Sequence, residues 1–295
     1  MFKLGNVDIL RIEESHGPSF RPAQVLPDWT EEAVAPHLSW LVPQYLNESK
    51  SRLIMSVHSW VLKTRHHTIL VDTCVGNHKE RPTQPAFHML NMPYLANFAA
   101  AGLRPEDIDY VLCTHLHVDH VGWNTRLEDG RWVPTFPNAK YVFSKIDRDY
   151  FDPSRGEGGK VEANARIFND SVLPILEAKQ DMVVEGVVEL ADGLTIEPAP
   201  GHSPGHVLIK LASAGAEGLF TGDIMHHPMQ IYEVAWSSAF CTDPAEARVS
   251  RRKVLEHACA HGSMLYPAHF GGPFCGRVGE RSGGFRFLPG SAPAA

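Results

Sequence analysis

The stretch Thr114-His115-Leu116-His117-Val118-Asp119-His120 stands directly after the apolar run Ile108-Asp109-Tyr110-Val111-Leu112-Cys113. A buried strand that stops and delivers four metal-competent side chains within six residues leaves few architectures open. Such a strand has to end at a rim where imidazole and carboxylate can reach a cation. Those groups are the nitrogen and oxygen ligands that zinc, iron and manganese accept. In a loop leaving a strand, His115 and His117 can converge on one ion while Asp119 and His120 point to a second. A helical H-E-x-x-H site would need a four-residue spacing between its histidines, so a zincin is excluded.

Three further turns repeat the device. Pro200-Gly201-His202-Ser203-Pro204-Gly205-His206 sets a histidine in a tight Gly/Pro turn, Phe220-Thr221-Gly222-Asp223 an aspartate, and Tyr266-Pro267-Ala268-His269-Phe270 another histidine. Each lies where a strand pattern ends, so all can gather at one rim of a sheet.

Short β-branched and aromatic segments alternate with helical stretches, the pattern of a layered α/β protein. Strands are expected near Val7–Ile12, Met55–Leu62, Thr68–Asp72, Asp109–Cys113, Lys140–Phe143, Thr195–Pro198, His206–Leu211, Gly218–Phe220 and Ser263–Tyr266. Helices are expected at Ala86–Ala101, Gly159–Glu177 and Pro244–Cys259. The last has Asp243 to cap it, Pro244 at its first position and Glu246 at capping-box spacing. The proline- and aromatic-rich residues 14–54 read as an irregular arm or cap, residues 147–160 as a mobile loop, and about the last ten residues as disordered. With 295 residues and a hydrophobic fraction of 43%, one domain over 1–295 can bury a substantial core.

A formal net charge of −7 carries no basic footprint, so the expectation is a small-molecule substrate and no nucleic acid. No apolar run is long enough for an export signal or a membrane span, which makes the cytoplasm the expected compartment. Five cysteines without a C-x-x-C pair read as free buried thiols.

The motifs together resemble the metallo-β-lactamase superfamily over roughly residues 55–275. The resemblance implies a four-layer αββα sandwich and two divalent ions, zinc first, with iron, manganese or cobalt as substitutes. It implies one ion on His115, His117 and His202, a second on Asp119, His120 and His269, and Asp223 bridging both around a shared hydroxide. Asp72 in Val71-Asp72-Thr73 resembles the family's carboxylate that orients a ligand histidine.

The intervals of 82 residues from His120 to His202, 21 more to Asp223 and 46 more to His269 are similar to one branch of the family. That branch contains methyl parathion hydrolase, hydrolytic chlorothalonil dehalogenase and, more distantly, acyl-homoserine lactonases. The lactonases carry a tyrosine three residues after the bridging aspartate; here the position is His226. The reaction expected is hydrolysis of an ester, lactone, phosphotriester or activated aryl substrate. Two ions would activate the water, Asp119 steer it, and His226 protonate the leaving group. The alternative is a mononuclear iron oxidoreductase of the sulfur dioxygenase type.

His227 is a weaker candidate for the site than His226, and His206 reads as structural. His58, His66, His67, His78, His88, His257 and His261 have no constellation. Trp123, Phe136, Trp236 and Phe270 are candidates for an apolar pocket wall. The apolar arm before residue 55 should cover either the active-site mouth or the partner in a homodimer.

Overall fold

Alternating burial in short Val-, Ile- and Leu-rich segments builds two seven-stranded sheets. The computed structural model describes residues 1–290. The strands are β1 (Phe2–Leu4), β2 (Val7–Pro18), β3 (Ile54–Lys63), β4 (Thr68–Val71), β5 (Tyr110–Leu112), β6 (Thr125–Glu128), β7 (Arg131–Pro134), β8 (Lys140–Ser144) and β9 (Asp181–Val184). They continue with β10 (Val188–Glu189), β11 (Leu194–Pro198), β12 (Val207–Ser213), β13 (Ala216–Gly222), β14 (Met264–Pro267), β15 (Gly276–Arg281) and β16 (Gly284–Pro289). One sheet has the order β1-β2-β3-β4-β5-β8-β9 and the other β10-β11-β12-β13-β14-β15-β16, while β6 and β7 form a separate hairpin.

The chain divides into two compact units, Met1–Ser15 with Val57–Asp192, and His16–Ser56 with the chain from Gly193 onward. Each has its own core. In the first, Val61, Leu70, Phe98, Val111, Phe136, Tyr141 and Phe168 pack together. In the second, Leu41, Tyr45, Leu219, Met229, Leu255, Leu265 and Phe270 do so.

Strand direction sets where the motifs land. In the first unit β4 and β5 are parallel, with Val71 opposite Leu112, so Asp72 and the His115 loop leave the same edge. In the second unit β13 and β14 are parallel, with Phe220 opposite Tyr266, so Asp223 and His269 also share an edge. β12 runs antiparallel to β13, which puts the turn before Val207 at that same edge. Carboxyl ends of parallel strands are where open α/β sheets place their ligands.

Several expectations change. The helix expected at Ala86–Ala101 forms only over Tyr94–Ala100. Pro93 precedes it and Met89 takes a left-handed φ of 52°, so the segment before it cannot continue the helix. The helix expected at Gly159–Glu177 is interrupted, Glu162–Ser171 then Leu173–Glu177, because Pro174 has no N–H to continue the ladder. Residues 147–160 are not a bare loop. Helix Lys145–Phe151 covers their start, buried Asp147 accepts from the Leu116 N–H at 3.3 Å, and a Cβ on Gly156 would meet the Tyr150 carbonyl oxygen at 2.1 Å. Of the tail expected to be disordered, Arg286–Pro289 lie in β16, and residues 291–295 fall outside the described residues. Among the described residues, no helix is long and apolar enough to cross a membrane.

The arm packs into its own unit. Its apolar residues Val25, Leu26, Val34, Leu41, Tyr45, Leu46 and Leu53 are buried in the second unit's core, so they are covered within their own unit. Leu41 has no exposed surface. Leu41→Ala is expected to destabilise the protein by about 2–5 kcal/mol through lost burial and a residual cavity. Urea unfolding followed by tryptophan fluorescence measures it; an unchanged midpoint would return the arm to the surface.

Candidate metal centre

In the first unit, Asp72 organises the histidine loop. Its Oδ1 accepts from the Thr114 N–H at 2.7 Å, its Oδ2 accepts from the Thr114 hydroxyl at 2.8 Å, and Oδ2 lies 2.9 Å from His120 Nδ1. Thr114 Oγ1 is in turn 3.1 Å from His115 Nδ1. With Nδ1–H of both rings directed at these oxygens, the Nε2 atoms of His115 and His120 carry the lone pairs, the form in which a histidine can ligate a cation. His115 Nε2 lies 3.0 Å from His117 Nδ1, near the spacing of about 3.3 Å between two nitrogens on a tetrahedral zinc with bonds of about 2.0–2.1 Å. Asp119 Oδ1 is 3.7 Å from His120 Nε2. His115 and His120 are buried, His117 and Asp119 half-buried.

The second unit converges on Asp223. Its Oδ2 is 3.1 Å from His202 Nε2 and 3.1 Å from His226 Nε2, and its Oδ1 is 2.9 Å from His269 Nε2. All four residues are buried. The far nitrogens are held as well. His269 Nδ1 donates to the Ser56 carbonyl at 3.0 Å, and His202 Nδ1 lies 3.7 Å from Cys241 Sγ. His206 accepts the Asp223 backbone N–H on its Nε2 at 3.0 Å, so it is structural, fixing the turn that carries the carboxylate. Gly201 is required where it stands: its φ is +122° and a Cβ would strike Ala247 N at 2.1 Å.

His226, expected near the metals, is brought into a ligand-competent group with His202 and Asp223. Neither of its ring nitrogens makes a hydrogen bond among the described residues. His227 turns away. Its Nδ1 accepts from the Met229 N–H at 3.2 Å and its Nε2 donates to the Tyr45 carbonyl at 3.2 Å. Burial lowers its pKa to about 4, in keeping with a neutral structural ring.

Of the four aromatics expected to wall a pocket, Phe136 and Phe270 belong to the cores and Trp123 stacks on Tyr94 at 5.2 Å. Trp236 is buried against Trp29, with ring centroids 5.9 Å apart. Aromatics beside the candidate ligands are instead Phe151, buried with its ring 5.5 Å from that of His117, and Phe240, 44% exposed with its ring 6.0 Å from that of His226.

Sequence reasoning missed three supports. Gln230 accepts the His226 N–H on its Oε1 at 2.7 Å and fixes that turn. Glu14, buried, accepts from Val75 N–H, Gly76 N–H and Trp123 Nε1–H at 2.9, 3.0 and 2.7 Å, and burial raises its pKa to about 7. Cys241, expected to be a buried thiol, keeps some exposure, and desolvation by the burial it does have raises its pKa to about 11. The first two signals were weak in sequence: a glutamine four residues past a histidine and one of three acids in a strand.

A model of the metallo-beta-lactamase superfamily matches residues 54–269. Among curated proteins, an N-acyl homoserine lactonase of Bacillus cereus is 27% identical over 176 residues, covering 55% of this chain and 62% of the relative. The chain thus spans about three fifths of that relative's length. Among solved structures, hydrolase AbOPH aligns with a TM-score of 0.81 at 22% identity, covering 98% of this chain and 96% of that one. AidC, a dizinc quorum-quenching lactonase in complex with the product N-hexnoyl-L-homoserine, aligns with a TM-score of 0.78 at 21% identity, with the same two coverages of 98% and 96%. Strand ends that carry these ligand motifs, a family model spanning all of them and the shared fold lead to one assignment: the chain belongs to the metallo-beta-lactamase superfamily.

Proposed function

We propose that this protein is a dinuclear metal-dependent hydrolase whose substrates are lactones or related esters. The observation that carries the reading is the carboxylate of Asp223 facing three buried imidazoles. For His269 the Nδ1–H is committed to Ser56, so a neutral ring would aim its Nε2 lone pair at Asp223 Oδ1 across 2.9 Å. Two lone pairs repel at that distance unless they share a cation, and a divalent metal meets several of them at once. The donor set of imidazoles and carboxylates suits zinc.

In this reading His115, His117 and His202 would hold one ion and Asp119, His120 and His269 the other, with Asp223 contributing to both. On this proposal residues 1–295 form one catalytic domain. When bound, two such ions supply an acidified water nucleophile and positive charge for a developing oxyanion. Asp119 orients the attacking water, and His226 hands a proton to the departing oxygen. Asp72, Thr114 and the Ser56 carbonyl keep the ligand rings in their working tautomers. Five free cysteines suit a reducing, cytoplasmic setting. Relatives described as lactonases favour hydrolysis over the iron-dependent oxidation weighed from the sequence.

The test pairs elemental analysis of protein purified without chelators with a hydrolysis screen over N-acyl homoserine lactones, aryl esters, phosphotriesters and chlorinated aromatics. Two equivalents of zinc and lactone opening that a chelator abolishes and zinc restores are expected. One equivalent of iron with oxygen-dependent turnover would overturn both metal and reaction class.

A further inference from the structure

We propose that Cys241 is a positioning residue for the dinuclear centre, its sulfur accepting the Nδ1–H of His202 so that the ring presents Nε2 to the metal. The inference rests on the metal reading above. Its geometric basis lies wholly in the second unit, where Sγ stands 3.7 Å from His202 Nδ1, within reach of a hydrogen bond to sulfur. The opposite edge of the same ring faces Asp223 Oδ2 at 3.1 Å.

The sulfur is held there by the backbone on both sides of the pair. Thr242 N–H donates to the His202 carbonyl at 2.9 Å and Asp243 N–H to the Gly201 carbonyl at 2.8 Å, so residues 242–243, next to Cys241, are laced to the 201–202 turn. Asp243 then caps the helix Pro244–His261 by accepting from Ala245 and Glu246 N–H, and Ser250 Oγ donates to the Pro200 carbonyl at 2.6 Å. The ligand turn and the thiol are thereby mounted on one helix N-terminal frame.

Tautomer logic gives the contact its direction. An imidazole that ligates through Nε2 must carry its proton on Nδ1, and that proton needs an acceptor. His120 meets this need with the Asp72 carboxylate and His269 with the Ser56 carbonyl. His202 meets it with a thiol sulfur, a weak acceptor. If instead the thiol donated its S–H to Nδ1, the ring proton would sit on Nε2 and block ligation. The sulfur is thus the softest of the three orienting contacts, and the ion that His202 serves should be the more readily lost.

The experiment compares wild type, Cys241→Ser and Cys241→Ala as zinc-loaded proteins dialysed against increasing chelator. Bound zinc is measured by elemental analysis, and the thermal midpoint of each metal-free protein is recorded. Orienting contacts of ligand histidines are worth about 10–100-fold in metal affinity. Cys241→Ala is therefore expected to lose one of its two zinc equivalents at about tenfold lower chelator than wild type. Cys241→Ser, which keeps an acceptor, should restore most of that difference, and the metal-free midpoints should agree.

Equal chelator midpoints for all three proteins would overturn the proposal. So would equal losses in both variants accompanied by lowered metal-free midpoints, which would make Cys241 a packing residue. Cobalt-substituted wild type should lack an intense sulfur-to-cobalt charge-transfer band; such a band, absent from Cys241→Ser, would overturn positioning by showing the thiol to be a ligand. Wild type that retains no zinc would bring down the dinuclear reading itself, whereas two equivalents in wild type with no difference among the variants brings down the role of Cys241 alone.

Discussion

If the centre is the dinuclear zinc site proposed above, Asp223→Asn is expected to release at least one of two zinc equivalents and to lower turnover by on the order of a hundredfold or more, with the fold retained. The amide keeps the size of the side chain and removes its charge. The Asp223 carboxylate faces His202, His226 and His269 within 3.1 Å, and a negative charge there can neutralise cations that those rings would hold. Loss of a contact that merely orients a ligand costs about 10–100-fold in affinity or activity, so loss of the shared ligand charge belongs at the upper end of that range or beyond. The fold should survive because the turn is fixed by the backbone N–H of Asp223 donating to His206, which the substitution leaves alone. Elemental analysis and circular dichroism on one preparation decide the matter. Two zinc equivalents with near wild-type turnover would show that the bridge is assigned to the wrong residue.

What the sequence revealed was the chemistry at strand ends, and physical reasons separate it from what stayed hidden. A strand followed by a ligand-rich turn is local information, so the turns at residues 114–120, 200–206, 220–223 and 266–270 could be read directly. The arrival of each unit's turns at one edge of its own sheet follows from parallel pairing of β4 with β5 in the first unit and of β13 with β14 in the second, a nonlocal fact that periodicity does not encode. Asp72 was legible because it stands at such a strand end. Glu14 was not, since it lies inside β2 and acquires its role by accepting N–H groups more than sixty residues away in sequence. The same blindness explains the arm. Its prolines break regular structure, and nothing local tells that Leu41 and Tyr45 fill the core of the second unit. Glycines at 156, 158 and 159 suggested mobility, whereas they stand where the chain presses against Tyr150 and Asp152.

His226→Phe is expected to keep both zinc equivalents and lose turnover selectively on substrates with poor leaving groups. The ring sits three residues past Asp223, its backbone N–H pinned by Gln230 and its Nε2 3.1 Å from Asp223 Oδ2, yet neither ring nitrogen makes a hydrogen bond among the described residues. Beside its contact with Asp223, such an imidazole can serve either of two further partners. If the partner is the departing oxygen of the substrate, general acid help is worth about 10²–10⁴-fold where an alkoxide leaves, and far less where an activated phenoxide needs little protonation. If the partner is a metal ion, shared with His202 and Asp223, the Phe variant should lose zinc and slow equally on both substrate types. The exposed ring of Phe240, 6.0 Å from His226, favours the first, because it puts an apolar surface beside the imidazole where a substrate's carbon chain can rest. Rates on an alkyl lactone and on an activated aryl ester, with zinc measured on the same samples, separate the two. Retained zinc with a loss confined to the lactone assigns His226 as the acid, and a shared loss with one equivalent missing makes it a ligand.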